Sequence, residues 1–381
     1  MSLAKTYGMR GIELVRGSGA LVYDLEGNEY VDCTAGVGVV LLGHAHPELT
    51  RAISEQTQRL VTCYGIFDND VRNEFARRFE AVTPGNLNTF FLSNSGSESV
   101  ECALKLVRRY TGRTEVVAMS RAFHGRTLGA LSAIWKPAYR KAFEPLVPGF
   151  SHVKYGDSEG LRNVVSESTA AVIVEPVQGE AGVVLPPEGY LQEVREICNE
   201  SGALLIFDEV QSFGRTGNYF AAQTFGVTPD IACVAKGVAG GVPMGVTAST
   251  EEIFSALGVG EHGSTFGGNP LSCAAGIATL NVLQSENLIE RGAEMGQRLL
   301  AGLRKIENES IREVRGIGAM VALEARFPCG GALKSCMENG VLVLASGRNV
   351  MRFLPPLVIS EEQVDTVIEV VRSSLNANST A

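Results

Sequence analysis

The sequence has little that would tie it to a membrane, a metal cluster or a polyanion. In 381 residues the longest apolar runs, such as 39–42 and 204–207, are strand-sized, far short of the roughly 20 residues that a membrane-crossing helix needs. There are five histidines, and the eight cysteines are scattered at 33, 63, 102, 198, 233, 273, 329 and 336. None forms a C-x-x-C pair, so the sequence offers no zinc or iron–sulfur spacing, and no metal is expected. Positive charge is short too: 33 Lys and Arg against 42 Asp and Glu leave a net charge of −9. The densest basic spot, Arg108 and Arg109, reads as a solvated helix face, which excludes general nucleic-acid binding. Residues 1–19 lack the apolar stretch of a secretion signal. Scattered thiols in such a chain read as reduced core residues, and the expected location is cytoplasmic. Internal repeats and low-complexity tracts are missing as well.

What is present is material for a large core: 45% of residues are apolar and 20% charged. The length suits two or three modules. Short apolar runs at 89–92, 115–119, 170–174, 203–207, 231–235 and 246–248 predict strands. Helical spacing lies between them, as in Tyr190, Leu191, Val194, Ile197 and Cys198. Alternating strands and helices predict an α/β domain with a mostly parallel sheet covered on both faces, whose function collects at the carboxyl ends of the strands. Beyond it, 269–283 and 288–306 read as long helices, 314–323 and 350–354 as strands, and 332–339 as a helix. A last helix carries Val364, Val367, Ile368 and Val371 on one face. This predicts a small α+β module, joined by an N-terminal hairpin over 19–23 and 29–32. The expected division is an N-terminal segment over 1–55, a large domain over 56–284 and a small C-terminal domain over 285–381.

Three stretches could carry chemistry. A strand ends in Ser93-Asn94-Ser95-Gly96-Ser97, and a helix follows. Free amides and the helix dipole at such a turn suit a phosphate, although an ordinary serine cap gives the same pattern. The apolar strand 204–207 delivers Asp208 and Glu209 at its carboxyl end. A buried carboxylate there needs a cationic partner, whether a metal, an arginine or a protonated ring nitrogen. Lys236 ends another apolar strand in a glycine-rich stretch. Desolvated, its amine becomes a nucleophile toward aldehydes; otherwise its stem simply reaches solvent. In this order within one α/β domain, the three are what pyridoxal 5′-phosphate requires.

Further motifs run along the chain: Gly43-His44-Ala45-His46-Pro47, Phe123-His124-Gly125-Arg126-Thr127, Glu175-Pro176-Val177-Gln178-Gly179-Glu180, Asp208-Glu209-Val210-Gln211, Lys236, the run from His262 to Pro270, and the run from Arg352 to Leu357. In these the chain resembles the class III, fold type I aminotransferases, the subgroup of acetylornithine, ornithine and carrier-protein-linked lysine aminotransferases. The resemblance implies a seven-stranded sheet, a homodimer with shared sites and pyridoxal 5′-phosphate as cofactor. It implies that Lys236 bonds the cofactor and then moves the proton, with Asp208 on the ring nitrogen and Gln211 at the phenolic oxygen. Phe123 and Val210 would stack on the ring. Ser95, Gly96 and Ser97 would hold the phosphate together with Thr265 of the partner subunit, and Glu209 would belong to the same cofactor site. Arg126 would bind the substrate α-carboxylate and Ser264 would line the substrate site. Arg352 would bind 2-oxoglutarate, masked by Glu180 while an ω-amino donor is present.

Val37 stands where enzymes of free ornithine carry a tyrosine, and valine cannot hydrogen-bond an ammonium. An acylated α-nitrogen fits, so the expected donor is N2-acetylornithine and the expected reaction belongs to arginine synthesis. The alternatives are carrier-protein-linked lysine, which wants a basic mouth that the acidic net charge does not favour, and 4-aminobutyrate or another ω-amino acid. A nucleotide-dependent dehydrogenase is excluded, since Gly36-Val37-Gly38 and Gly316-Ile317-Gly318 lack the third glycine. An inactive relative would be expected to lose Lys236 or Asp208, and both are present.

Overall fold

The computed structural model describes residues 4–377, so the first three and last four residues of the expected terminal segments lie outside it. The N-terminal strands are β1 (Leu14–Ser18), β2 (Leu21–Asp24) and β3 (Glu29–Asp32). The central strands are β4 (Thr89–Ser93), β5 (Glu115–Met119), β6 (Phe150–Val153), β7 (Thr169–Val174), β8 (Leu204–Asp208), β9 (Ile231–Val234) and β10 (Gly245–Ser249). They form one seven-stranded sheet in the order β4-β10-β9-β8-β7-β5-β6. The pairs from β9 across to β6 are parallel, and β10 runs antiparallel to both neighbours.

Strands buried on both faces read as continuous apolar runs, and β7 and β8 are buried at every position. Their side chains alternate between two cores. Val117, Val172, Val174, Leu205, Phe207 and Val234 join one cluster, while Val116, Ala118, Ile173, Ile206 and Ile231 join another on the opposite face. The helix Gly96–Thr111 packs into the second cluster through Val100, Ala103, Leu104 and Val107.

The C-terminal strands are β11 (Ile311–Ile317), β12 (Met320–Ala325), β13 (Val341–Leu342), β14 (Leu344–Ser346) and β15 (Val350–Phe353). The single strand expected over 314–323 is a hairpin instead: Gly318 adopts φ +51 and turns β11 back onto β12. β11-β12-β15-β14 form an antiparallel sheet, while β13 leaves it to pair in parallel with β3 in the N-terminal sheet. The expected packing of the N-terminal hairpin against the C-terminal module is thus a strand pairing. The helices Leu288–Arg304 and Glu361–Ala377 bury Leu299, Leu303, Val364, Val367 and Val371 in the same core as β12 and β15. Among the described residues no helix is long and apolar enough to cross a membrane.

Candidate active site

The turns that leave β4, β5, β7, β8 and β9 at their carboxyl ends close around one cavity of about 360 Å³. Ser95, Gly96, Ser97, Phe123, Glu180, Asp208, Val210, Gln211 and Lys236 all line it. The cavity thus lies at the carboxyl ends of the strands, and residues far apart in sequence meet there.

Lys236 follows β9 after a single residue, Ala235, and adopts φ +48, a left-handed conformation that costs on the order of 1–3 kcal/mol for a residue with a side chain. The strain turns the chain sharply into the short turn Lys236–Ala239. Burial strips water from the ammonium and lowers its pKa to about 8, although Glu180, Asp208 and Glu175 favour the charge. Near physiological pH about a fifth of such an amine is neutral, as a nucleophile toward an aldehyde must be, against about a thousandth of an ordinary lysine.

Asp208 closes β8 and is almost fully buried. Oδ1 accepts from the amide of Val210 at 3.1 Å, and Oδ2 lies 2.8 Å from Nδ1 of His124. The imidazole is the polar partner that a buried aspartate demands, and sequence reasoning missed it because the two lie 84 positions apart. The only signal was its place in the Phe123-His124-Gly125 motif. Glu175, also buried, accepts from the amides of Phe123 at 2.8 Å and Gly179 at 3.1 Å, fixing the turns on either side. Burial raises its pKa, and His124 and Asp208 pull in opposite directions. Among the described residues no group of three or more His, Cys, Asp or Glu could hold a metal.

Glu209 needs correction. It does not line the cavity; its carboxylate accepts from the amides of Ala221 and Ala222 at 2.9 and 2.7 Å and from the Ser212 hydroxyl. Successive strand residues point to opposite faces, so Glu209 faces away from Asp208 and ties down the helix Ala221–Phe225. Burial pushes its pKa up to about 7.

The turn after β4 is the serine cap that one of its two readings expected, and it leaves amides free for the other. Ser95 caps the helix by accepting from the amide of Glu98 at 3.2 Å, and Glu98 accepts in return from the Asn94 amide at 2.7 Å. The cap uses the third helical amide, not those of Gly96 and Ser97. Around them space is tight: a Cβ on Gly96 would stand 2.9 Å from Val210, and one on Gly125 (φ +134) would stand 2.3 Å from the Ser97 hydroxyl. The Ser97 Oγ itself accepts from the Arg126 amide at 3.1 Å.

Arg126 lies at the rim, its guanidinium 4.1 Å above the Tyr139 ring and 5.1 Å from that of Phe123. Arg352, on β15, is 2% exposed. Its Nη1 donates to Glu180 Oε1 at 2.8 Å and to Gln211 Oε1 at 3.2 Å. Burial opposes the charge on Glu180, but Arg352 and Lys236 outweigh it and hold its pKa below the usual range. Ser264 and Thr265 line a different cavity, of about 860 Å³, together with Tyr64, Ile66 and Phe91. Ser264 reaches the first site only indirectly, accepting from the Asn94 side chain at 3.1 Å.

A desolvated lysine, a buried aspartate and a helix N-terminus kept open by two glycines make a site for a phosphorylated pyridine aldehyde, and the residues present fit pyridoxal 5′-phosphate. Comparison with known proteins agrees. A family model described as aminotransferase class-III matches residues 2–375. The chain is 47% identical over 377 residues to the acetylornithine aminotransferase of Methanopyrus kandleri, covering 98% of this chain and 96% of that protein. It is 45% identical over 374 residues to the [LysW]-aminoadipate semialdehyde transaminase of Deinococcus radiodurans, covering 97% and 87%. A solved Toxoplasma gondii ornithine aminotransferase, described as having partial occupancy of PLP at the active site, superposes with a TM-score of 0.95 at 33% identity, covering 99% and 93%. The chain belongs to the class III aminotransferases, and is a pyridoxal-phosphate-dependent enzyme.

Proposed function

We propose that the chain moves the ω-amino group of N2-acetylornithine to 2-oxoglutarate, giving N-acetylglutamate 5-semialdehyde and glutamate. The observation that carries this is the Glu180–Arg352 pair at the Lys236 cavity. A donor with an apolar acyl end and an acceptor with two carboxylates must use one site in turn. A buried arginine that exchanges Glu180 for the carboxylate of the oxo acid serves both.

Pyridoxal 5′-phosphate, when bound, supplies an aldehyde that takes up the amine and a ring that withdraws electrons from the reacting carbon. Lys236 holds the cofactor and then carries the proton between carbons at its Nζ. Asp208, oriented by His124, places negative charge at the ring nitrogen. Gln211 would reach the phenolic oxygen, Phe123 and Val210 would enclose the ring, and Ser95, Gly96 and Ser97 would hold the phosphate. Arg126 takes the α-carboxylate of the donor. Val37, on a left-handed turn at φ +68 and partly exposed, tolerates an acyl group and offers nothing to an ammonium.

The enzyme acts as a homodimer in which Thr265 and Ser264 serve the partner's site. Exposed Tyr64, Ile66, Phe67 and Phe266 near their cavity support a covered face. Eight free cysteines, seven of them buried, support a cytoplasmic location.

A second reading has a specific observation behind it. Beside Glu180 opens a cavity of about 640 Å³ lined by Arg121, Lys136 and Arg348 with Trp135 and Tyr139. Glu180 and Glu324 line the same cavity; Arg121, which donates to the carbonyl of Ala181, helps to hold the Glu324 carboxyl below its usual pKa, while Lys136 lies over the Tyr139 ring. A basic mouth fits an acidic carrier bearing the substrate. Titrating the visible absorbance of the purified enzyme with N2-acetylornithine separates the two. Replacement of the aldehyde-form band by the amine-form band at millimolar donor supports the first reading. A stable band that responds only to a carrier-linked amine supports the second.

A further inference from the structure

Arg215 is among the most deeply buried side chains of the molecule, 1% exposed, and no catalytic role above uses it. Among the described residues no carboxylate forms an ion pair with it. Nη1 donates to the carbonyls of Ala319 at 3.2 Å and Pro355 at 2.9 Å, and Nε reaches that of Gly38 at 3.4 Å. Nη2 is buried and has no hydrogen-bond partner among the described residues. In return the Arg215 carbonyl accepts from the Ala319 amide at 2.8 Å.

The three acceptors are not arbitrary places. Ala319 immediately precedes β12, in which Ala322 pairs with Arg352 of β15, and Pro355 lies three residues beyond Arg352. Arg215 therefore clamps the ends of both strands that set the register of Arg352. On its own segment it follows Gln211 by four residues, and Gln211 accepts from Arg352 and donates to Glu180. Burying a cation among carbonyls alone is costly. Here burial lowers its pKa to about 9, with Asp32 favouring the charge and Arg352 opposing it.

We propose that Arg215 is a positioning residue for the carboxylate site: it fixes Arg352 against Glu180 and adds a second buried cation to the field met by an incoming dicarboxylate. The proposal rests on the reading of Arg352 as the 2-oxoglutarate site. Its contact with the Gly38 turn, which carries Val37, is long, so the acceptor side of the reaction depends on Arg215 more than the donor side.

The two half-reactions of the holoenzyme test this separately, with acetylornithine and with glutamate as amine. Arg215→Met should raise the KM for glutamate by about tenfold or more, the size expected when Arg352 is no longer held in place for a charge-assisted bond to one carboxylate, while the acetylornithine half-reaction stays within about twofold. Arg215→Lys keeps the charge but fewer donors; it should shift in the same direction by less, and it decides the matter alone if the methionine variant does not fold. Equal loss in both half-reactions, or no change in either, overturns the proposal and leaves Arg215 a structural tie. Arg352→Lys run alongside keeps the two ideas apart: if it leaves the glutamate half-reaction intact, the carboxylate site itself was misassigned.

Discussion

Water removed from Lys236 changes what its amine can do at a given pH. With a pKa lowered to about 8 by burial, half the amine is neutral there, whereas an ordinary lysine reaches that point above pH 10. Only the neutral amine condenses with an aldehyde. Cofactor-free enzyme should therefore capture pyridoxal 5′-phosphate faster as pH rises toward 8 and level off above it. Stopped-flow absorbance measures this, and a rate still climbing at pH 10 would show a solvated lysine. Lys236→Ala should abolish steady-state turnover while the melting transition of the cofactor-free chain remains cooperative. Glu180→Ala acts differently. It leaves Arg352, 2% exposed, without its carboxylate partner, and a vacated buried cation attracts any anion. The ratio of kcat/KM for glutamate over acetylornithine should rise by about tenfold or more. An unchanged ratio means that Glu180 does not mask Arg352.

At the scale of elements, the turn after β5 and the helix after β4 are pressed together through Gly125. Its φ of +134 is closed to other residues, and a Cβ would meet the Ser97 hydroxyl at 2.3 Å. Gly125→Ala should cost on the order of 1–3 kcal/mol of stability. Because Ser97 must move, the cofactor should dissociate more readily, which equilibrium dialysis against pyridoxal 5′-phosphate reads directly. The central strands were legible in sequence because parallel strands buried on both faces need unbroken apolar runs, as in Leu204-Leu205-Ile206-Phe207. β6 was not legible: Phe150-Ser151-His152-Val153 sits at the sheet edge and mixes polar with apolar residues. Nor was the turn at Gly318, since the apolar residues of β11 and β12 run together across it. In the site, Asp208 and Lys236 stood out as polar groups ending apolar strands. His124 did not, because nothing local marks a contact across 84 residues, and Glu209 was misjudged because adjacency in sequence hides the alternation of a strand.

The whole molecule poses the question of how many chains make a site. Within one chain Lys236 faces the cavity of about 360 Å³, while Ser264 and Thr265 face another of about 860 Å³. In the proposed homodimer Thr265 would serve a phosphate at the Lys236 of the second copy. A closed pair in which each chain completes its partner's site makes a sharp prediction for mixtures. Take one chain carrying Lys236→Ala and another carrying Thr265→Asp, whose added charge repels phosphate. Each alone should form inactive dimers. In a mixed dimer, the Lys236 of the second chain meets the Thr265 of the first, and that site is intact; the other site carries both lesions. Random reassortment of equal amounts puts about half of the chains' pairings in mixed dimers, so activity should recover to about a quarter of the wild-type level. If each site belongs to one chain, every site in the mixture carries a lesion and no activity returns. The recovery should also require dissociation: mixing under conditions that hold the dimers together leaves the sample inactive, and passage through dilute denaturant restores it.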